Sequence, residues 1–351
     1  MFYAVVVLLV ASASGLAAFA SRWFAVRVTA VDQPTGGRKI HTKPTPLLGG
    51  WGIGIAMILA VIVGIYSGWF QSRDLHSVQL VGFLFGLLIL MVGGFIDDKY
   101  SISPRLQILF PIAAALVVIL TGTSISHVTQ LSGGAYSLEW FRWGSFAFPS
   151  DVLTLVWLLA VTYAMKFLDG LDGLVAGQTV IGAGLIAALA LSAAFFQPNV
   201  AILALIVGAS FLGFLPWNLH PAKQFLGESG STTAGFALGF LSIVAGTKAA
   251  TALMALGLPL ADASLVVFGR LMRGVSPFRG DDTHLHFKLL KAGLSQRTVV
   301  LLLWIIALLF GVLALGAQTR GKILLLTGLV GVTVILSFFA GLMKRSRIPR
   351  P

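Results

Sequence analysis

The sequence predicts an all-α polytopic membrane protein with about 10–11 transmembrane helices. Only 10% of its 351 residues are charged, against about 25% in a soluble domain. Hydrophobic residues make up 57% of the chain, and the mean hydropathy is +0.95. Apolar windows of roughly 18 to 24 residues recur from end to end, each long enough to cross a bilayer as a helix. These windows lie roughly at residues 3–21, 47–70, 78–95, 106–121, 152–166, 174–195, 199–216, 232–247, 249–269, 298–316 and 323–343.

The basic residues predict how the helices are oriented. A run of basic residues that begins with Arg22 and Arg27 follows the first window. This run predicts an uncleaved signal-anchor, with the N-terminus outside and the C-terminus cytoplasmic. When the spans alternate from there, most of the 24 lysines and arginines fall on the inner side. The net charge of +12 is therefore read as a topology signal, and no nucleic-acid partner is expected. The lack of cysteine excludes a disulfide scaffold and a thiolate metal site.

The acidic residues gather on the same predicted side. We expect a single integral-membrane domain over residues 1–351, with cytoplasmic loops that form the site at residues 22–46, 96–105, 166–173, 217–231 and 270–297. Most of the 12 acidic residues fall in these loops: Asp32, Asp97, Asp98, Asp169, Asp172, Glu228, Asp281 and Asp282. The positive-inside rule makes no statement about acids. Their gathering therefore predicts one site on the cytoplasmic face.

Two carboxylate pairs are the most informative of these residues. Asp97 and Asp98 in "GGFIDDKYSISP" follow the third window, at a helix C-terminus where partial negative charge disfavours them unless a cation compensates. In "FLDGLDGL" the i, i+3 spacing predicts that Asp169 and Asp172 share one helix face and could bind a cation or a phosphate–metal complex. The alternatives are a solvated loop for the first pair and a helix N-terminal turn for one member of the second.

Further polar residues stand in the remaining inner loops. "NLHPAKQFLGESGS" contains Asn218 and Glu228, and helix capping accounts for its serines but not for Glu228. The loop "RGVSPFRGDDTHLHF" holds Arg279, His284 and His286, and two histidines at i, i+2 could bind metal or phosphate, or belong to a solvated loop.

Two residues are harder to place. Lys43 belongs to a basic juxtamembrane segment, which by itself requires no function. Asp262 lies within a predicted span, where an acid is a functional hypothesis by default. Pro259 could break the helix there and bring Asp262 near water.

Taken in order, these motifs resemble the polyprenyl-phosphate N-acetylhexosamine-1-phosphate transferases, the glycosyltransferase family 4 that also contains the phospho-MurNAc-pentapeptide transferases. The resemblance runs from about residue 31 to residue 297 and includes "RKIHTKPTPLLGG", "GGFIDDKYSISP", "FLDGLDGLVAG", "NLHPAKQFLGESGS" and "RGVSPF…HLH". The form "RGVSPF…HLHFKLL" is similar to the branch that transfers GlcNAc-1-phosphate to undecaprenyl phosphate.

The resemblance implies a reaction and its partners. Polyprenyl phosphate would attack the β-phosphorus of a UDP-sugar and give polyprenyl-diphosphate-sugar and UMP, with Mg²⁺ as cofactor and Mn²⁺ as an alternative. One diphosphate replaces another, so catalysis means positioning two anions and screening their repulsion. The implied place is the cell membrane, with the site facing the cytoplasm, at the first membrane step of a cell-envelope glycan pathway. A homodimer is a further candidate assembly.

The resemblance also implies residue roles. Asp97 and Asp98 match an acid pair proposed to orient or deprotonate the lipid phosphate, and Asp169 and Asp172 match the nucleotide and metal region. Asn218 matches a uridine-side residue. The implied metal ligands are Asp98, Asp169 and Glu228, and the candidate phosphate contacts are Lys43, Arg279, His284 and His286.

This chain departs from the family pattern at three points. Tyr163 and Lys166 stand where asparagines are usual, Glu228 replaces an aspartate, and Phe287 replaces a third histidine. A protonated lysine cannot ligate Mg²⁺. We therefore hypothesise that Lys166 pairs with Glu228 or with a substrate phosphate, so that Mg²⁺ rests more on Asp169 or Asp98.

Three alternatives remain at the level of the sequence. The chain could have phospho-MurNAc-pentapeptide transferase activity, or it could be a family member without catalysis. It could also be a polytopic lipid transporter or flippase, although that class predicts charges near the midplane and an internal repeat.

Overall fold

The computed structural model describes residues 1–34, 43–130, 134–246, 249–275 and 282–346. In these ranges the chain forms helices with short two-stranded sheets between them. The helices are α1 (Phe2–Arg27), α2 (Gly49–Tyr66), α3 (Ser77–Tyr100), α4 (Pro104–Gln107), α5 (Leu109–Leu120), α6 (Ser150–Leu168), α7 (Leu174–Leu191), α8 (Pro198–Asn218), α9 (Gly227–Val244), α10 (Ala249–Leu271), α11 (Leu285–Lys291), α12 (Gln296–Gly316) and α13 (Thr319–Ser346). The strands are β1 (Val31–Asp32), β2 (Thr45–Pro46), β3 (His127–Thr129), β4 (Ala135–Ser137), β5 (Glu139–Trp143) and β6 (Phe146–Pro149).

The predicted fold class is confirmed. In the part of the chain that the structure describes, 8 helices are long and apolar enough to cross a membrane: α1, α2, α3, α6, α7, α8, α12 and α13. The other predicted spans correspond to the shorter apolar stretch Pro104–Leu120, which comprises α4 and α5, and to α9 and α10. The protein is therefore a multi-pass membrane protein.

The loops are shorter than predicted because several helices extend into the polar segments. α3 runs to Tyr100, so Asp97 and Asp98 are helical. α6 continues through Lys166 to Leu168, and α9 begins at Gly227. Polar side chains at a helix end reach water without breaking the backbone hydrogen bonds of the last turn, so a polar sequence does not by itself end a helix.

α9 lies at the centre of the bundle. All its side chains from Ser229 to Ile243 are buried, and it packs against α2, α3 and α6. Its small residues permit close helix approach: a Cβ on Gly94 of α3 would lie 2.3 Å from the Cα of Ser229. Some of its buried hydroxyls are satisfied within the helix, as where Thr232 donates to the carbonyl of Glu228 at 2.6 Å.

The two ends of the bundle differ. One end carries Asp97, Asp98, Asp169, Asp172 and Glu228, and we call it the acidic end. The other carries the hairpins β3–β4 and β5–β6, and we call it the hairpin end.

The strands of the hairpin end were not predicted from the sequence. β5 and β6 form in an aromatic-rich segment on either side of Gly144, which has a φ of +60°. Asp151 in the first turn of α6 fixes this hairpin to the bundle, because its Oδ2 accepts a hydrogen bond from the backbone N–H of Ala147 at 2.7 Å.

Candidate active site

Lys166 lies at the centre of the acidic end. Its Nζ lies 2.6 Å from Oε1 of Glu228 and donates at 2.9 Å to Oε1 of Gln107. The side chains of Lys166 and Glu228 are 19% and 16% exposed, so both are largely withdrawn from water. The hypothesis that Lys166 pairs with Glu228 agrees with this geometry.

Gln107 connects this ion pair to Asp97. Its Nε2 donates to Oδ1 of Asp97 at 2.6 Å, while its Oε1 accepts from Lys166. The same Asp97 oxygen also accepts from the backbone N–H of Ile102 at 3.0 Å. A continuous hydrogen-bonded chain thus runs from Asp97 through Gln107 and Lys166 to Glu228.

Asp98 contacts the start of α9. Its Oδ1 accepts from the backbone N–H of Glu228 at 2.8 Å. The positive end of α9 therefore compensates a carboxylate that stands at the negative end of α3. Gly227 makes this approach possible, since its φ is +72° and a Cβ there would lie 2.4 Å from Oδ2 of Asp98.

The prediction that Asp169 and Asp172 share one helix face is wrong. α6 ends at Leu168, Asp169 is its C-terminal cap, and α7 begins after Gly173, which has a φ of +81°. The glycines that follow each aspartate permit this turn. Oδ2 of Asp172 faces the segment after α8, where it lies 2.8 Å from Nδ1 of His220 and accepts from the N–H of Ala222 at 3.1 Å. Asp169 instead is exposed to solvent. Its carboxylate makes no hydrogen bond among the described residues.

The electrostatic surroundings of Asp169 favour its protonated form. Nearby protein displaces part of its water and raises the pKa of this carboxyl, and the negative charges of Glu228 and Asp172 act in the same direction. The side chain is exposed, so water still reaches it and limits the rise.

Asn218 holds two loops of the site together. Its Oδ1 accepts from the backbone N–H of Gly173 at 3.1 Å, and its Nδ2 donates to the carbonyl of Gln224 at 3.0 Å. The side chain is buried. Asn218 therefore fixes the turn between α6 and α7 against the segment between α8 and α9.

The two histidines stand against the same turn. Nδ1 of His284 lies 2.8 Å from Oδ2 of Asp262, a residue of α10. Oδ1 of the same aspartate accepts a hydrogen bond from the backbone N–H of Leu285. The ring of His286 stacks on that of His284 at a centroid separation of 5.8 Å. A Cβ on Gly170 would lie 2.4 Å from Nε2 of His286. The segment before α11 and the turn after α6 therefore meet at this glycine.

His286 is fully buried. Its ring nitrogens have no hydrogen-bond partner among the residues that the structure describes. The pKa of His286 is lowered to about 4, mainly by burial; the charge of Asp262 opposes this shift and the neighbouring His284 adds to it. The imidazole is therefore neutral at physiological pH.

The remaining two predicted phosphate contacts are less closely placed. Lys43 is exposed two residues before β2, and β2 docks on the site because the carbonyl of Pro46 accepts from the N–H of Phe225 at 3.0 Å. Arg279 lies outside the described residues.

The predicted metal ligands are hard carboxylate oxygens, which are the donors that Mg²⁺ prefers. No group of three or more His, Cys, Asp or Glu side chains is arranged to hold a metal ion in the described ranges. At Glu228 the nearest cation is already the ammonium of Lys166. The carboxylate of Asp169, by contrast, is open to a ligand. The donor chemistry therefore fits a metal at Asp169, with Asp98 nearby, better than at Glu228.

Sequence reasoning missed Gln107 and gave Asp262 only a secondary place. The signal for Asp262 was present as an acid inside a span. The signal for Gln107 was a single polar side chain in "SPRLQILF", directly after the acid pair and at the start of an apolar window. Neither partner was deducible, because His284 lies 22 residues from Asp262 and Lys166 lies 59 residues from Gln107 in the chain.

Residues 80–246 match the model of the family described as glycosyl transferase family 4. The chain is 33% identical to a probable undecaprenyl-phosphate N-acetylglucosaminyl 1-phosphate transferase of Bacillus subtilis, over 83% of this chain and 78% of the relative. It is 30% identical to a decaprenyl-phosphate N-acetylglucosaminephosphotransferase of Mycolicibacterium smegmatis, over 93% and 86% respectively. It is 31% identical to a phospho-N-acetylmuramoyl-pentapeptide-transferase of Halalkalibacterium halodurans, over 80% and 86%.

Proposed function

This chain belongs to glycosyl transferase family 4, and from that premise we propose that it transfers N-acetylglucosamine-1-phosphate from UDP-N-acetylglucosamine to polyprenyl phosphate. The products are polyprenyl-diphosphate-N-acetylglucosamine and UMP. The protein is then a phosphotransferase at the first membrane step of a cell-envelope glycan pathway, with undecaprenyl phosphate as the expected lipid.

The observation that carries this proposal is the acidic end itself. There the ammonium of Lys166 pairs with the carboxylate of Glu228 from α9, and a hydrogen-bonded chain runs from Lys166 through Gln107 to Asp97 of α3. A reaction that exchanges one diphosphate for another needs positioned charges rather than a covalent intermediate. The residues present supply both signs of charge.

Asp97 is the residue that would meet the lipid phosphate. Its Oδ1 is held by Gln107 and Ile102, which fixes the carboxylate while leaving Oδ2 for a ligand. An oxygen of polyprenyl phosphate attacks the β-phosphorus of the nucleotide sugar. The bond from that phosphorus to the oxygen bridging it to the α-phosphorus breaks, and UMP leaves with the bond's electron pair. Asp97 would orient the attacking phosphate and accept its proton where it carries one.

Asp169 is the residue that would hold Mg²⁺, with Asp98 nearby, and Mn²⁺ could substitute for it. Mg²⁺ is commonly bound by one or two carboxylates together with substrate phosphates. When bound it would screen the repulsion between the two phosphate groups. His284 and His286 border the same turn and are the proposed contacts to the diphosphate. The ring nitrogens of His286 are buried against Gly170, so its contact requires a movement of this turn.

An apolar groove offers a place for the polyprenyl chain. It lies between α10 and α13, has a volume of about 450 Å³ and is lined by Gly257, Leu260, Ala261, Ser264, Leu265, Phe268, Leu326 and Val330. Asp262, which holds His284, belongs to the same stretch of α10. A lipid in this groove would enter sideways from the bilayer while the nucleotide arrives from water.

We also propose that the acidic end faces the cytoplasm, with the N-terminus outside and the C-terminus inside. The support is the distribution of lysine and arginine, most of which precede or follow helix ends on this side. A homodimer stays a prediction, which the mass of the protein–detergent complex would test.

Phospho-MurNAc-pentapeptide transferase activity is the second candidate. It is favoured by the 31% identity to the enzyme of Halalkalibacterium halodurans. The form "RGVSPF…HLHF", with Phe287 after the second histidine, favours the GlcNAc-1-phosphate branch instead.

The proposal is tested by incubating the purified protein with undecaprenyl phosphate and a panel of UDP-sugars, and measuring the release of UMP. We expect release with UDP-N-acetylglucosamine and little with UDP-MurNAc-pentapeptide. The Asp97→Asn variant should remain folded and lose most of its turnover. No release with any UDP-N-acetylhexosamine, under conditions in which the Bacillus subtilis relative is active, would overturn the proposal.

A further inference from the structure

The acidic end contains its own cation. The ammonium of Lys166 lies between Oε1 of Glu228 at 2.6 Å and Oε1 of Gln107 at 2.9 Å. We propose that Lys166 occupies the position that a divalent cation would take against Glu228, and that Glu228 therefore is not a metal ligand in this protein. The inference concerns cation binding and does not depend on which sugar the protein transfers.

The orientation of Gln107 supports this assignment. Its amide nitrogen donates to Asp97, so its oxygen must face Lys166. Two hard oxygens, one from Glu228 and one from Gln107, thus converge on a single point, where they could supply two of the ligands of a divalent cation. The ammonium nitrogen fills that point.

The surroundings of the ion pair between Lys166 and Glu228 also stabilise it. Both side chains are more than four-fifths withdrawn from water, and a charge-assisted hydrogen bond of this length is a strong one. Removing either partner would leave a partly buried charge uncompensated. A divalent cation approaching Glu228 would meet the repulsion of the ammonium at close range. An ammonium has three N–H donors, and with two engaged the third is available to a substrate phosphate.

The test measures Mn²⁺ binding to the purified full-length protein by the EPR signal of free Mn²⁺, without substrates. In a protein that keeps Lys166, the Glu228→Gln variant should still bind Mn²⁺. Lys166→Asn replaces the ammonium with an amide and should raise Mn²⁺ affinity by at least about tenfold. Adding Glu228→Gln to Lys166→Asn should abolish that gain.

Lys99→Asn is the matched control, because it removes the same charge from an exposed lysine next to Asp98. We expect it to change Mn²⁺ affinity by less than about twofold, through weak long-range electrostatics alone. Equal gains in the two lysine variants, or no gain in Lys166→Asn, would overturn the proposal. Loss of Mn²⁺ binding in the single Glu228→Gln variant would also overturn it. This measurement needs no change at Lys166. None of these results depends on transferase activity.

A separate observation concerns the hairpin end. The register of β5 and β6 pairs Phe141 with Phe148 and Trp143 with Phe146, which places all four aromatic rings on one face. Trp143 is 90% exposed and Phe141 is 71% exposed. On the opposite face Ala147 is buried, and its N–H donates to Asp151 of α6. One face of the hairpin is therefore fixed to the bundle, and the other presents a bare aromatic surface.

We infer that this aromatic face lies in the membrane–water interface. β6 leads into α6 without an intervening residue, and α6 exposes Val152, Leu153 and Val156 in its first turns. The hairpin thus adjoins, along the chain, a helix start with exposed apolar side chains. Tryptophan is favoured at headgroup depth, and phenylalanine occurs on the apolar face of segments that lie in the interface.

The chain contains no cysteine, so a single Ser145→Cys at the tip of this hairpin can carry a nitroxide label in lipid nanodiscs. Power-saturation EPR should show greater collision with O₂ than with a water-soluble nickel chelate. Ser72→Cys, in the polar loop between α2 and α3, should show the reverse. Changing Phe141 and Trp143 to serine should move the Ser145 label toward water. A water-exposed Ser145 label, or one shielded from both agents by a second copy of the chain, would contradict the inference.

Discussion

Nδ1 of His284 lies 2.8 Å from Oδ2 of Asp262, and both side chains are buried between α10 and the start of α11. The carboxylate accepts a hydrogen bond from Nδ1 and so fixes a proton on that nitrogen. The other carboxylate oxygen of Asp262 accepts a hydrogen bond from the backbone N–H of Leu285. Asp262 therefore fixes both the tautomer and the position of the histidine.

We predict that Asp262→Asn lowers kcat/KM by roughly 10- to 100-fold, by analogy with the loss of a residue that orients a metal-binding histidine. Steady-state UMP release measures this change, with Tm recorded in parallel. Asp262→Glu should recover part of the activity, because it restores the carboxylate. Full activity in Asp262→Asn would mean that His284 needs no positioning from α10.

Gln107 is predicted to matter through the hydrogen bonds that it makes to Asp97 and Lys166. Gln107→Leu should lower kcat roughly tenfold or more, since a hydrogen bond to a charged group is worth about 1.5–3 kcal/mol. Gln107→Glu can still accept from Lys166 but cannot donate to Asp97. Equal loss in both variants would assign the effect to Asp97, whereas near-normal turnover in Gln107→Glu would assign it to Lys166.

Gly227→Ala is predicted to disturb Asp98. The residue has a φ of +72°, and the added Cβ would lie 2.4 Å from Oδ2 of Asp98. The left-handed conformation alone costs about 1–2 kcal/mol for alanine, and the contact must also displace the carboxylate. Thermal unfolding in detergent should show a lower Tm, and kcat should fall.

Gly184→Ala in α7 is the control for that variant. No atom lies within 4 Å of the position of its Cβ. Alanine is favoured over glycine within a helix by roughly 0.5–1 kcal/mol, so Tm should hold or rise. A Gly227→Ala protein as stable and active as Gly184→Ala would show that Asp98 tolerates displacement.

The buried His286 predicts a stability that falls with acid. Its pKa is about 4 in the folded protein against an ordinary 6.5. Between these values the unfolded chain takes up a proton that the folded chain does not, so stability is fully present above pH 6.5 and is lost as the pH falls toward 4. The contribution is on the order of 3 kcal/mol. Tm measured between pH 7.5 and 4.5 should decrease less in His286→Phe than in the unaltered protein.

The sequence predicted the helices well because each span carries its own signal, a run of apolar residues. It also predicted that carboxylates from separate helices converge, because alternating spans return to one side of the membrane. Both predictions depend on local patterns or simple alternation. Neither needs a knowledge of which helices are neighbours.

The rest depended on tertiary contacts. The spacing of Asp169 and Asp172 is compatible with a helix, and the turn that separates them is fixed by contacts to His220 and Asn218 more than 40 residues away. Gln107 resembled an ordinary polar residue at a helix start until Lys166 of α6 was placed beside it. The strands of the hairpin end were missed because the short β5–β6 segment adjoins a long apolar helix that dominates the hydropathy of that region.

The central claim is that this protein moves a sugar phosphate from a nucleotide to a lipid, and one labelling measurement tests it directly. UDP-N-acetylglucosamine labelled with ³²P in the β-phosphate is incubated with the purified protein and undecaprenyl phosphate, and radioactivity is followed into the organic phase. We predict that the β-label enters the lipid, that a label in the α-phosphate stays in water as UMP, and that Asp97→Asn abolishes most of the transfer. A β-label that remains in the aqueous phase, or a lipid that acquires the sugar without the phosphate, would contradict the account.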